Sequence, residues 1–158
     1  EVHIAMVVGG FETAAASTAL IKSILFYHQG LIHFHFITDS RSRSVLPRLF
    51  ETWRLPDVRV DFYKMEEFVN RVSWVPNKHY SQNFGMVKLL LPDILPLNVH
   101  KTNFSVLLLD SDVLLINSID DLLAHHDRMN SSQIYAMVEN MSGWYTTAEP
   151  TNRKWPAL

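Results

Sequence analysis

Two aspartates separated by one serine follow an apolar run and form the strongest candidate site in this 158-residue sequence. The run Val106-Leu107-Leu108-Leu109 predicts a buried strand that delivers Asp110-Ser111-Asp112 to solvent at its carboxyl end. Paired carboxylates are hard oxygen ligands that suit Mg²⁺ or Mn²⁺, and such an ion can hold a diphosphate. The alternative is an aspartate that only caps the next turn. We favour the metal site, because apolar residues resume directly after the motif.

A second candidate is Gly9-Gly10-Phe11, which follows the first predicted strand. The glycines permit a close approach of the backbone to a ligand, and the Phe11 ring could stack on a base. The glycine spacing is not that of a dinucleotide fingerprint or a Walker loop. An ordinary strand-to-helix turn with a buried phenylalanine explains the same residues equally well.

Three further groups of basic residues are considered as ligand-binding candidates: Lys88, the pair His33 and His35, and the pair His125 and His126. Lys88 lies in an apolar helical run, where an amine extended to solvent is the default interpretation and an amine that faces an anion is the alternative. His33 and His35 share one face of a strand, and a His-x-His pair can bind zinc, but we expect no third ligand nearby. We therefore favour hydrogen-bonded structural histidines. The pair His125-His126 is expected to place favourable charge at a helix carboxyl terminus.

Short apolar runs alternate with helical patterns along the chain and predict the elements that position these residues. Strands are expected at 3–8, 31–38, 58–63, 104–109 and 133–138, and helices at 13–28, 44–53, 65–69, 83–91 and 119–126. This alternation predicts an α/β domain with a mostly parallel sheet. Ligands bind at the carboxyl ends of such strands, an edge that also carries Asp39 and Lys64.

The composition excludes several other classes of protein. The net charge is −2, so neither a nucleic-acid-binding nor a polybasic membrane-binding protein is expected. Hydrophobic residues make up 47% and charged residues 19%, which excludes disorder. The chain has no cysteine, so disulfides and cysteine zinc sites are excluded, and it has no apolar run of the ~20 residues that a membrane helix needs. Three sequons, at Asn103, Asn130 and Asn140, hint at a luminal or extracellular location.

The Asp110-Ser111-Asp112 tip resembles the Asp-x-Asp motif of GT-A glycosyltransferases, and the order of motifs resembles glycosyltransferase family 8. The similarity is strongest to a xylosyltransferase branch and covers nearly the whole chain, in the stretches 31–40, 58–63, 73–81, 138–140, 144–145 and 155–158. It implies a Rossmann-like GT-A fold, with residues 1–158 as the amino-terminal, nucleotide-sugar-binding part of one truncated domain. We expect this chain to be a fragment of a longer protein at both ends.

The resemblance also implies roles for individual residues. Asp110 and Asp112 would bind Mn²⁺ or Mg²⁺, with Ser111 between them and Asp110 also near the ribose. Lys88 would face the donor diphosphate or sugar, and Asp39 would lie close to the nucleotide. The uridine would be bordered by Val8, Gly9, Gly10 and Phe11, and further neighbours of the donor would be Lys78 and His79.

The implied reaction moves xylose from UDP-xylose to a glucuronate-terminated glycan on a glycoprotein such as α-dystroglycan, with retention of configuration. The implied location is the Golgi lumen, with a membrane anchor outside this chain. The family's third metal ligand, a histidine, and part of its acceptor pocket lie downstream, so the segment alone is expected to be inactive. Two alternatives stay open. One is a dehalogenase-type phosphatase with Asp110 as nucleophile, Asp112 as acid and Mg²⁺ as cofactor; the other is a non-catalytic glycan-binding domain.

Overall fold

Parallel strands alternate with helices throughout the part of the chain that the computed structural model describes, residues 1–77, 81–95 and 105–138. The first half contains β1 (Val2–Val8), α1 (Phe11–Tyr27), β2 (Ile32–Thr38), α2 (Ser40–Arg43), α3 (Leu46–Trp53) and β3 (Val58–Lys64). The second contains 3₁₀ turns at Met65–Glu67 and Val69–Val72, α4 (Gln82–Met86), a 3₁₀ turn at Val87–Leu90, α5 (Leu91–Ile94), β4 (Val106–Leu108) and α6 (Ile119–His126). None of the helices in these ranges is long and apolar enough to cross a membrane.

The four strands form one parallel sheet in the order β3-β2-β1-β4. In register, Val8 lies beside Thr38 and Thr38 beside Lys64, so β1, β2 and β3 end at one common edge. The chain moves outward from β1 to β3 and then crosses back to β4 on the other side of β1. The point where the strand order reverses lies between β1 and β4, where ligands bind in open α/β sheets.

One face of the sheet packs against α1 and α3 and forms the larger core. Alternate strand residues point to this face because side chains alternate along a strand. The fully buried members include Ile4, Met6, Phe34 and Phe36 from the strands, Leu20, Ile21 and Ile24 from α1, and Leu46 from α3. Burial of this apolar surface is the main stabilising contribution to the sheet.

The opposite face is covered near its carboxyl end by the short helical segments that follow β3. Ala5 and Ile37 from the strands pack with Met65, Val72 and Val87, all of them buried. This second core places the 3₁₀ turn Val87–Leu90, and therefore Lys88, beside the carboxyl end of the sheet.

The amino-terminal half of that same face carries three neighbouring histidines. His3 is the register partner of His33, and the nitrogen His3 Nδ1 lies 3.1 Å from His35 Nε2. The expectation that His33 and His35 have no third ligand nearby is therefore wrong, because parallel pairing brings a residue 30 positions earlier beside them. Burial, with help from His33 and His3, lowers the pKa of His35 from 6.5 to about 4.

Helix α6 matches the sequence prediction at both ends. The Ser118 hydroxyl accepts a hydrogen bond from the Asp120 backbone N–H at 3.1 Å and caps the helix. Asp120 lies in the first turn and His125 and His126 lie in the last, as the helix dipole favours. The expected position of the histidine pair at a helix carboxyl terminus is confirmed.

Several predicted elements are changed in the structure. The helix expected at 44–53 is preceded by the separate turn α2, and the helix expected at 83–91 is divided into α4, a 3₁₀ turn and α5. The strand expected to be buried, 104–109, is only three residues long, and it is partly exposed, since β1 is its one partner strand among the described residues. Its first expected residue lies outside the described residues.

The strand expected at residues 133–138 is wrong. These residues are irregular and pair with none of the four strands, and their apolar side chains Ile134, Tyr135, Met137 and Val138 are all exposed. An apolar run makes a strand only where a neighbouring strand completes its hydrogen bonds.

Candidate functional site

The carboxyl edge of the sheet gathers most of the residues singled out from the sequence. Gly9 and Gly10 follow β1, Asp39 follows β2, and Asp110 follows β4 after one further residue. The Leu109 N–H still donates to the Ala5 carbonyl at 3.0 Å, so the sheet pairing continues to the residue before Asp110. The edge therefore carries glycine backbone and two carboxylates around the point where the strand order reverses.

Asp39 joins β1 to β2 through a set of hydrogen bonds. Its Oδ1 atom accepts from the Gly10 backbone N–H at 3.0 Å and from the Ser42 backbone N–H at 2.9 Å, which caps α2. The Ser42 hydroxyl lies 2.6 Å from the same oxygen and 2.7 Å from the Val8 carbonyl. Partial burial raises the pKa of Asp39, but the hydrogen bonds from Ser42 and Gly10 outweigh it and leave the pKa below its ordinary value.

We expect Asp39→Asn to destabilise the protein most at neutral pH. Because the folded-state pKa of Asp39 is lowered, its ionised form stabilises the fold above about pH 4, and that contribution is lost as the pH falls through the folded-state pKa. Urea unfolding at pH 7 and at pH 3 should show a difference of about 1 kcal/mol between wild type and variant that shrinks in acid. The control is Asp57→Asn in the exposed turn before β3. A difference that is constant with pH would contradict the prediction.

The turn between β1 and α1 has the geometry that the glycines suggested. Gly10 adopts a φ of 83°, which L side chains rarely occupy, and caps α1. Phe11 begins α1 and is 58% exposed. The alternative of a turn with a buried phenylalanine is therefore wrong, and the ring is accessible to a planar ligand. The Val8 side chain is fully buried, so only its backbone could border a ligand.

Lys88 faces an anion rather than open solvent. Its Nζ atom forms an ion pair and hydrogen bond with Asp110 Oδ1, across 22 positions of sequence. The Lys88 side chain is the more buried partner, at 29% exposed against 60% for Asp110. The default interpretation of an amine directed to solvent is therefore wrong, and the partner of Lys88 within the protein is the first aspartate of the Asp110-Ser111-Asp112 motif.

Of the remaining predicted residues, some lie at the candidate site, one lies elsewhere and two lie outside the described residues. Asp112 lies exposed in the turn after β4, and Ser111 beside it is half-buried. Lys64 pairs with Glu67 at 3.8 Å rather than with the candidate site. Lys78 and His79 lie outside the described residues. Sequence reasoning missed Ser42, although its position three residues after Asp39 is the usual spacing of a helix cap.

Comparisons with known proteins relate the chain to a group of enzymes. No protein-family model matches the chain. Over 158 residues the chain is 40% identical to human xylosyl- and glucuronyltransferase LARGE1, an alignment that covers 99% of this chain and 20% of that protein. The chain is a relative of the LARGE xylosyl- and glucuronyltransferases. It is also 42% identical to mouse LARGE2 over 157 residues, which are 99% of this chain and 22% of that protein. The chain thus spans about a fifth of the length of the LARGE proteins that it matches.

Solved structures confirm the expected fold. Mouse xyloside xylosyltransferase 1 in its apo form matches 82% of this chain and 50% of its own, with a TM-score of 0.63 and 16% identity. The bifunctional glycosyltransferase WbbM matches 78% of this chain and 20% of its own, with a TM-score of 0.57 and 20% identity. The LARGE-related chain therefore has the α/β, GT-A type of fold that its motif order predicted.

Proposed function

We propose that this chain is the nucleotide-sugar-binding part of a metal-dependent, retaining glycosyltransferase. Its donor is UDP-xylose, and its acceptor is a glucuronate-terminated glycan on a glycoprotein such as α-dystroglycan. The observation that carries the proposal is 40% identity across the whole chain to proteins named xylosyl- and glucuronyltransferases. The same similarity favours a transferase over the phosphatase and the non-catalytic glycan-binding domain. The proposed location of the whole protein is the Golgi lumen.

The residues at the end of β4 fit a divalent cation. Asp110 and Asp112 present exposed carboxylates on one turn, and carboxylate oxygens are the ligands that Mn²⁺ and Mg²⁺ prefer. In the protein without a ligand, the Lys88 ammonium balances the charge of Asp110. When bound, a metal ion there would neutralise charge on the diphosphate of the donor.

The glycine turn and its neighbours fit the nucleoside part of the donor. Gly9 would admit a ligand close to the backbone, because even an added methyl group there would meet its nearest neighbours at 3.8 and 3.9 Å. The exposed Phe11 ring offers a surface for a uracil base. Asp39 accepts a hydrogen bond from the Gly10 N–H and thereby fixes the turn that carries Gly9 and Phe11. Asp39 is in this proposal a positioning residue.

Lys88 is the residue that would act on the leaving group. Breaking the bond between the sugar and UDP leaves negative charge on the diphosphate, and an ammonium held beside it stabilises that charge in the transition state. The pairing with Asp110 orients the lysine side chain before any ligand arrives. The proposal gives none of the described residues the role of nucleophile. Retention through a covalent glycosyl intermediate and retention by direct attack of the acceptor on the same face of the sugar are both compatible with it.

The proposal is tested by titrating the full-length protein with UDP in a calorimeter, with and without Mn²⁺. We expect UDP to bind only weakly without the metal and tightly with it. Transfer of labelled xylose from UDP-xylose to a glucuronate-terminated oligosaccharide should then exceed transfer from UDP-glucose or UDP-galactose. Folded protein that binds no UDP in either condition would contradict the proposed function, and Mn²⁺-dependent UDP binding without xylose transfer would contradict the donor assignment alone.

A further inference from the structure

The three histidines on the amino-terminal half of the sheet form a cluster that the proposed transferase reaction does not use. His3, His33 and His35 each offer one ring nitrogen, and these nitrogens all lie within 4.8 Å of one another. Ligand nitrogens around a tetrahedral Zn²⁺ ion, at Zn–N distances of about 2.0–2.1 Å, are separated by roughly 3.4 Å. The His3 Nδ1 to His35 Nε2 distance of 3.1 Å is already close to that value.

The outer nitrogens of two of these rings are held by oxygen partners on β3. The His33 Nε2 atom lies 2.8 Å from Asp61 Oδ2, and the His35 Nδ1 atom lies 3.1 Å from the Tyr63 hydroxyl. A carboxylate on the outer nitrogen of His33 fixes the tautomer in which Nδ1 carries the lone pair. Histidines that bind metals have this arrangement, in which one nitrogen faces the ion and the other donates to an oxygen.

A fourth ligand group is also close to the cluster. The Glu1 atom Oε1 lies 4.0 Å from His33 Nδ1 and 3.4 Å from the Arg59 guanidinium, and Oε2 lies 3.8 Å from His3 Nε2. A carboxylate oxygen or a water molecule completes many three-histidine zinc sites. His3 and His33 are half-buried rather than sealed, so an ion can reach the cluster from solvent.

From this geometry we propose that His3, His33 and His35 bind a Zn²⁺ ion, with Glu1 as the nearest fourth ligand. Imidazole nitrogens are suited to zinc, whereas Mg²⁺ and Mn²⁺ prefer oxygen ligands. The site is separate from the proposed donor site, because His3 lies five residues before the carboxyl end of β1, a distance of roughly 16 Å along a strand. It crosslinks β1 to β2 at the end of the sheet opposite the donor site. The proposal does not depend on the glycosyltransferase assignment.

The test is Zn²⁺ binding by the full-length protein after treatment with a chelator. We expect one Zn²⁺ to bind at this cluster, thermal unfolding to shift to higher temperature, and Mg²⁺ to give no such shift. Co²⁺ in place of Zn²⁺ should give the visible absorption of a tetrahedral nitrogen-ligated site. Loss of one ligand in His33→Gln should lower the affinity for Zn²⁺ at least about 100-fold. Removing only the hydrogen-bond partner of a metal-binding histidine already lowers metal affinity about 10–100-fold.

A control variant makes the result specific. His125→Gln removes an exposed histidine in α6 and should leave Zn²⁺ binding unchanged. The proposal is overturned if folded wild-type protein shows no tetrahedral Co²⁺ spectrum, or if His33→Gln, shown to be folded by circular dichroism, binds Zn²⁺ as tightly as wild type.

Discussion

Asp112→Asn is expected to weaken Mn²⁺-dependent UDP binding at least about 100-fold while leaving the protein folded. Asparagine keeps the size of the side chain but removes the negative charge that a hard divalent cation requires of its ligand. Changing a residue that only orients a metal ligand already lowers metal affinity about 10–100-fold, so loss of a proposed direct ligand should lower it at least as much. Asp112 is exposed in the turn after β4, so the core is not disturbed. Calorimetric titration with UDP in Mn²⁺ measures the effect.

The matched control for this variant is Asp127→Asn. Asp127 is also an aspartate on the surface, with 85% of its side chain exposed, and it follows α6 rather than β4. It should leave both UDP affinity and Mn²⁺ dependence unchanged. Wild-type affinity for UDP in the Asp112→Asn protein would remove Asp112 from the site and leave the turn-capping interpretation.

Phe36→Ala is expected to give the largest loss of stability, about 3–5 kcal/mol in the free energy of unfolding. Phe36 is fully buried in β2, where its ring centroid lies 5.5–5.6 Å from those of Phe34, Phe50 and Phe62. Truncation leaves a cavity in close-packed surroundings that come from three strands and helices, so neighbouring groups cannot easily fill it. Urea unfolding followed by circular dichroism measures the change.

Phe26→Ala provides the comparison within the same protein. Phe26 lies near the end of α1 with 77% of its surface exposed, and it contacts only the neighbouring Tyr27 ring among the described ring pairs. Its removal should change the free energy of unfolding by less than about 0.5 kcal/mol. Equal losses for the two variants would mean that the sheet face bearing Phe36 is not the main core.

The fold could be predicted from the sequence wherever the hydrophobic periodicity agreed with the polar or glycine residues that end an element. Strands β1, β2 and β3 begin and end within about a residue of their expected bounds, because apolar runs ended by Gly9, Asp39 and Lys64 leave little choice. Residues 133–138 show the opposite case. After Gln133 they form a continuous apolar run, but a strand exists only with a partner strand, and partners are not encoded in a local pattern.

The candidate site was predicted in part for the same reason. Asp110 could be placed at a strand end from its flanking residues, since the apolar run before it is local information. Its ion pair with Lys88 joins positions 22 apart, and the third histidine of the cluster lies 30 positions from His33. Such contacts follow from strand order and register, which the spacing of residues along the chain does not determine.

The ion pair between Lys88 and Asp110 has a consequence for how ligands would enter the proposed donor site. A divalent cation and the lysine ammonium compete for the Asp110 carboxylate, so without a donor each weakens the binding of the other. A diphosphate supplies the extra negative charge that lets both cations remain. Nucleotide and metal would then each strengthen the binding of the other by the same factor, because coupling between two binding equilibria is reciprocal. The lysine would act as a counterion that is exchanged when the donor arrives and is set free to contact its phosphates.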